Sequence, residues 1–119
     1  MMRPKQERQP GFDQATALAV TGGDRQLLKE LADLFQQECP KMLATLHAAV
    51  SANDPHQVEI AAHKLKGSTS SFGATRAVEK VLMLERKGRL GDLTGVQQGL
   101  AELEEALRLL FAELNAFQP

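Results

Sequence analysis

An all-α fold, an antiparallel four-helix bundle with a short extra helix at the N-terminus, is predicted by three observations. Trp and Tyr are absent, and the apolar content is mostly Leu, Ala and Val, a composition that favours helices over a sheet. Apolar residues recur at three-or-four spacing through four long stretches. Between those stretches stand Thr21-Gly22-Gly23, Asn53-Asp54-Pro55, Gly73 and the pair Gly88 and Gly91, which stop and restart helices. At 119 residues the chain holds one domain with one modest core.

Residues 1–11 are polar, hold two prolines and show no periodicity, so they read as a flexible tail or linker remnant before a domain at 12–117. Phe12 to Val20 predicts a short helix with Asp13 near its start. Asp24 then N-caps a long helix to about Ala52, whose buried side is read as Leu27, Leu31, Leu34, Phe35, Met42, Leu46 and Ala49. Pro40 falls inside that run and is expected to bend one helix rather than divide it, because the apolar spacing carries through it in register.

The second long stretch opens with Asp54 as cap and Pro55 at the first helical position. It runs to about Phe72, where Gly73 stops it, and its inward row is Val58, Ala62, Leu65, Thr69 and Phe72. The next helix, about Thr75 to Lys87, is expected to bury Ala77, Val78, Val81, Leu82 and Leu84, with Gly88 and Gly91 bracketing its end. The last, from about Thr94, places Val96, Leu100, Leu103, Leu107, Leu110, Leu114 and Phe117 on one face. Cys39 is expected in the core. Short links between such helices give antiparallel neighbours.

Bulk properties exclude several function classes. A net charge of −1 gives no global field for nucleic acid or a membrane surface. The single cysteine excludes an internal disulfide and suits a reducing cytoplasm. No apolar run is long enough to span a bilayer, and no signal-peptide core precedes the domain. There is no GxxxxGK[ST] phosphate loop and no acidic cluster suited to holding Mg²⁺ beside a nucleotide, so self-phosphorylation from ATP is not expected.

The second long helix carries the chemistry. At about 100° per residue, His63 lies roughly 150° from the centre of the inward row, facing solvent. Gly67 follows one turn later on the same outward stripe, and Lys66 lies nearer the core boundary. A glycine inside a helix costs roughly 0.5–1 kcal/mol against alanine. Placed beside an exposed imidazole, it gives up local stability for room in which another molecule can reach His63.

His63-Lys64-Leu65-Lys66-Gly67-Ser68, followed by small residues and then Phe72-Gly73-Ala74, resembles the signature of histidine-containing phosphotransfer (HPt) domains, over a span from about Phe12 to Leu114. The resemblance implies that His63 accepts a phosphoryl group from the aspartyl phosphate of a response-regulator receiver domain and passes it to another receiver. It implies a carrier rather than an enzyme, with no cofactor of its own and any Mg²⁺ supplied by the receiver. A neutral imidazole is a competent nucleophile near pH 7, and in-line attack at phosphorus needs the ring clear of its own chain. Lys66 would pair with phosphoryl oxygens as transfer proceeds, and Gly67 would keep access open. Glu59, Lys64, Ser70 and Arg76 are read as the partner-docking surface around the ring, with Lys64 and Arg76 complementing an acidic receiver pocket. Ser68 or Ser70 is a candidate to hydrogen-bond the imidazole or the phosphate, and the helical wheel alone does not choose between them.

The implied setting is cytoplasmic and monomeric, free-standing or within a hybrid sensor histidine kinase. Two rivals make other predictions. A non-catalytic interaction bundle would keep all partner-dependent activity after His63→Gln. The phosphorylated module of chemotaxis-type kinases carries a similar motif, typically with Gly where this chain has Ser68. No metal site is expected: His56, Glu59 and His63 share a face, but His56 and His63 stand about 10 Å apart along the axis.

Overall fold

The computed structural model describes residues 11–119, and the expectation of a flexible N-terminal tail falls, apart from Gly11, outside them. The described residues form five helices and no strand: α1 (Gln14–Val20), α2 (Arg25–Ser51), α3 (Pro55–Ser71), α4 (Thr75–Leu90) and α5 (Val96–Ala116). The long helices α2 to α5 make the bundle and α1 is the short addition, as the apolar periodicity predicts.

Three of the helix starts share one device. The carboxylates of Asp13, Asp24 and Asp54 accept from the backbone N–H of Thr16, Leu27 and Gln57 at 3.3, 2.9 and 3.2 Å. Each satisfies one of the orphan donors of a first turn. Pro55 adds its fixed φ at the first position of α3. Phe12 therefore precedes α1 rather than opening it. Phe12 is buried, 6.5 Å from Phe72 and 5.8 Å from Phe117 between ring centroids, in edge-on packing that closes one end of the core. Gly11, assigned to the tail by sequence, is buried too and donates its N–H to Glu113 at 2.9 Å.

The inward row of α3 is buried throughout, and so is the predicted row of α5 from Val96 to Phe117. The predicted row of α2 is wrong in its first half. Leu27, Leu31 and Leu34 are 39, 37 and 52% exposed, while Leu28, Ala32, Phe35 and Cys39 turn inward. Rows 27–31–34 and 28–32–35 have the same helical spacing and differ by one 100° step, so spacing favours neither. Packing against the bundle selects the row with the smaller side chains. Met42 is half-buried on the flank. α2 runs unbroken through Pro40, which faces solvent, so the backbone carbonyl that loses its helical partner can be hydrated.

Two corrections fall on α4. Val78 is half-buried and Leu82 is 44% exposed, while a carboxylate, Glu85, is buried in the face read as apolar. Gly88 does not end the helix but lies buried inside it; α4 continues to Leu90 and closes on Gly91, whose φ of +72° is left-handed. Burial also pushes the Cys39 thiol up to about 11, which makes it an inert core residue. No helix among the described residues is long and apolar enough to cross a membrane.

Candidate functional site

Burying Val58, Ala62, Leu65, Thr69 and Phe72 fixes the rotation of α3 about its axis. That rotation leaves the side chain of His63 67% exposed. A Cβ added to Gly67 would meet nothing within 4 Å, so the space beside the ring is open. Lys66, one turn along towards α4, keeps about a third of its side chain in solvent.

Beneath the ring lies Glu85, a residue that sequence reasoning missed. Its side chain is only 9% exposed. One carboxylate oxygen is 2.8 Å from His63 Nδ1, and the other accepts from Lys66 Nζ at 3.0 Å. Burial pushes the Glu85 carboxyl up, but the hydrogen bonds from His63 and Lys66, with the charge of Lys66, outweigh it and hold the group below its ordinary 4.5. The carboxylate is therefore ionised at neutral pH and can only accept. Acceptance requires the proton on Nδ1, so a neutral ring carries its lone pair on Nε2, at the edge away from Glu85. α3 supplies the exposed imidazole and α4 the carboxylate that orients it. The signal for Glu85 was a charge in the α4 face that carries Ala77, Val81, Leu84 and Gly88, where a carboxylate is costly unless it is paired.

The predicted docking residues do not all gather around the ring. A hollow beside His63 is lined by His56, Glu59, Ile60, Lys64 and Glu85, so Glu59 and Lys64 belong to the site's surroundings. Ser70 is exposed two turns further along α3. Arg76 is half-buried at the start of α4 and helps Arg108, whose hydrogen bond dominates, to lower the Glu105 carboxyl on α5. Ser68 lines a groove against α1 and α2 instead of the ring. Ser71 donates to the carbonyl of Gly67 at 3.2 Å. Among the described residues no three His, Cys, Asp or Glu side chains gather as a metal site.

The phosphorelay protein LuxU of Vibrio harveyi is 30% identical over 88 residues, spanning 74% of this chain and 75% of LuxU. In fold, the chain matches the crystal structure of histidine-containing phosphotransfer protein B (HptB) from Pseudomonas aeruginosa PAO1, with a TM-score of 0.81. That match covers 92% of this chain and 98% of HptB at 23% identity. A family model described as the Hpt domain matches residues 30–115, a span that takes in α3, α4 and the whole His63–Glu85–Lys66 cluster, and the chain belongs to that family.

Proposed function

We propose that this Hpt domain is a phosphorelay intermediate whose acceptor is Nε2 of His63, loaded by one receiver domain and discharged to another. The observation that carries the reading is the pairing of an exposed ring with a buried, ionised carboxylate on its far nitrogen. A passive bundle gains nothing from a carboxylate buried beneath a surface imidazole. The Nε2 lone pair attacks phosphorus in line with the receiver's aspartyl oxygen. The N–P bond forms, the P–O bond breaks, and the electron pair leaves with the receiver's carboxylate. Nδ1 keeps its proton, so the phosphorylated ring is cationic and its charge faces Glu85. Discharge to the second receiver is the same step reversed. Lys66 holds Glu85 ionised through both carboxylate oxygens and, with one ammonium proton left over, reaches towards the phosphoryl oxygens. Mg²⁺ and the aspartate belong to the receivers, and a cytoplasmic setting fits the free thiol of Cys39. His63, Lys66 and Glu85 come from one chain, so a monomer suffices.

Incubation with a phosphorylated receiver is the direct test. Label on the protein should be acid-labile, and NMR of the labelled protein should place phosphorus on Nε2 with the proton retained on Nδ1. Acid-stable label, or label on any other residue, would overturn the assignment.

The open space at Gly67 gives a second test. Gly67→Ala should stabilise the fold by about 0.5–1 kcal/mol, since the new methyl meets nothing and the helix gains. Gly67→Gln should keep its circular dichroism but slow transfer by about 10–100-fold, because a partner held away from the ring loses the attack geometry. Wild-type transfer by Gly67→Gln would remove Gly67 from the site.

The same reading gives a use to the exposed row of α2. Val20, Leu31 and Leu34 line a groove between α1, α2 and α3 that also contains Ser68 and Ser71. Those serines lie five and eight residues after His63, about 8–12 Å along α3. A receiver covering about 800 Å² would span both ring and groove. Leu34→Lys, at a position 52% exposed, should leave stability unchanged and raise the receiver concentration for half-maximal transfer about 5–30-fold. An unchanged concentration dependence would put the footprint elsewhere.

A further inference from the structure

We infer that Gly88 is a positioning residue for phosphoryl transfer: it lets the backbones of α3 and α4 approach closely enough for Glu85 to reach His63. The inference rests on the reading of His63 as acceptor and adds what sets the spacing of the pair.

Three glycines lie inside α3, α4 and α5, where glycine weakens a helix. A Cβ at Gly67 would meet open space. One at Gly99 would come within 3.2 Å of the terminal methyl of Leu84, which can turn aside. At Gly88 the added atom would lie 2.6 Å from both the Glu59 backbone nitrogen and the Pro55 carbonyl oxygen, and 2.9 Å from Glu59 Cα. All three contacts are main chain of the first turns of α3, so relief requires moving the helix. An ordinary separation of ~3.5 Å opens the gap by roughly 1 Å.

That gap governs the site. Glu85 is one turn before Gly88 on α4, and His63 is one turn after Glu59 on α3. The two helices run antiparallel, so the turn at which the backbones touch lies next to the turn at which carboxylate meets ring. The hydrogen bond there is 2.8 Å, and an extra 1 Å leaves none. The ring then loses the contact that fixes its proton on Nδ1.

The experiment compares phosphoryl transfer from a phosphorylated receiver with the ¹⁵N NMR signature of the His63 ring in folded protein. Gly88→Ala should lose the fixed Nδ1–H tautomer and slow transfer by tenfold or more. Combined with Glu85→Gln it should be no slower than Glu85→Gln alone, since both act through one contact. Gly99→Ala, the same replacement against a side chain, should keep both tautomer and rate.

Where Gly88→Ala does not fold, Glu85→Asp answers the same question. It draws the carboxylate back by ~1.5 Å without touching the helix contact, and should give mixed tautomers and the same slowing. Folded Gly88→Ala with wild-type tautomer and rate, or Glu85→Asp with both retained, would overturn the inference. Failure of the acceptor assignment looks different, because the wild type itself would then take up no label on His63.

Discussion

His63→Gln should take up no detectable phosphate from a phosphorylated receiver and still unfold at the wild-type temperature. The ring is two-thirds exposed and contributes nothing to the core, so its removal leaves no cavity. Glutamine has similar reach, and its amide can donate to Glu85 in place of the Nδ1–H, so the buried carboxylate keeps two partners. Stability should therefore stay within ~0.5 kcal/mol, the range of ordinary surface changes. Transfer is lost outright rather than slowed, because an amide nitrogen has no free lone pair to attack phosphorus. The pair of results is what discriminates: a fold that melts normally and carries no label is a carrier without its acceptor. Equal labelling of variant and wild type, or wild-type partner-dependent function in the variant, would return the chain to the class of passive interaction bundles.

The sequence shows His63, Lys66 and Gly67 because they sit on one helix, where a single rotation angle places all three. The same holds for the buried row of α5, whose spacing has no competitor. Legibility stops where two helices must be related. Glu85 is twenty-two residues from His63, and nothing local says that its side of α4 faces α3 rather than water. On spacing alone Leu27, Leu31 and Leu34 read as inward together with Phe35, a row that Leu28 and Ala32 match equally well. Yet a bundle fills the space between its helices and has room there for Ala32, while the larger row is left outside. Gly88 misleads for a related reason. A glycine near a helix end reads as a stop, and only the neighbouring backbone shows that it is a point of contact. What was missed is in each case a property of a pair of helices.

Glu85→Gln is the sharpest test of that pairwise content. Glutamine keeps the size and one acceptor oxygen, so the packing of α4 on α3 survives. It lacks the charge, and its amide can donate as well as accept, so the Nδ1–H tautomer is no longer enforced. The larger loss comes during transfer, when the ring becomes cationic over a neutral amide instead of a carboxylate. A hydrogen bond to a charged group is worth about 1.5–3 kcal/mol, so transfer should slow by roughly ten- to a hundredfold. Stability should report the same contact through its pH dependence. The folded-state pKa of Glu85 is depressed, so its ionisation stabilises the fold above the unfolded value near 4.5 and is lost as pH falls through the folded value. The difference in unfolding free energy between wild type and Glu85→Gln should be flat from about pH 6 upward, then shift against the wild type in acid below about 4.5. Lys66→Met should diminish that loss in acid while leaving the tautomer in place, since it removes one of the two donors that lower Glu85 and lets the folded carboxyl titrate nearer its unfolded value. A Glu85→Gln protein that transfers phosphate at the wild-type rate, with its ring proton still fixed on Nδ1, would show that the carboxylate neither aims nor steadies the acceptor.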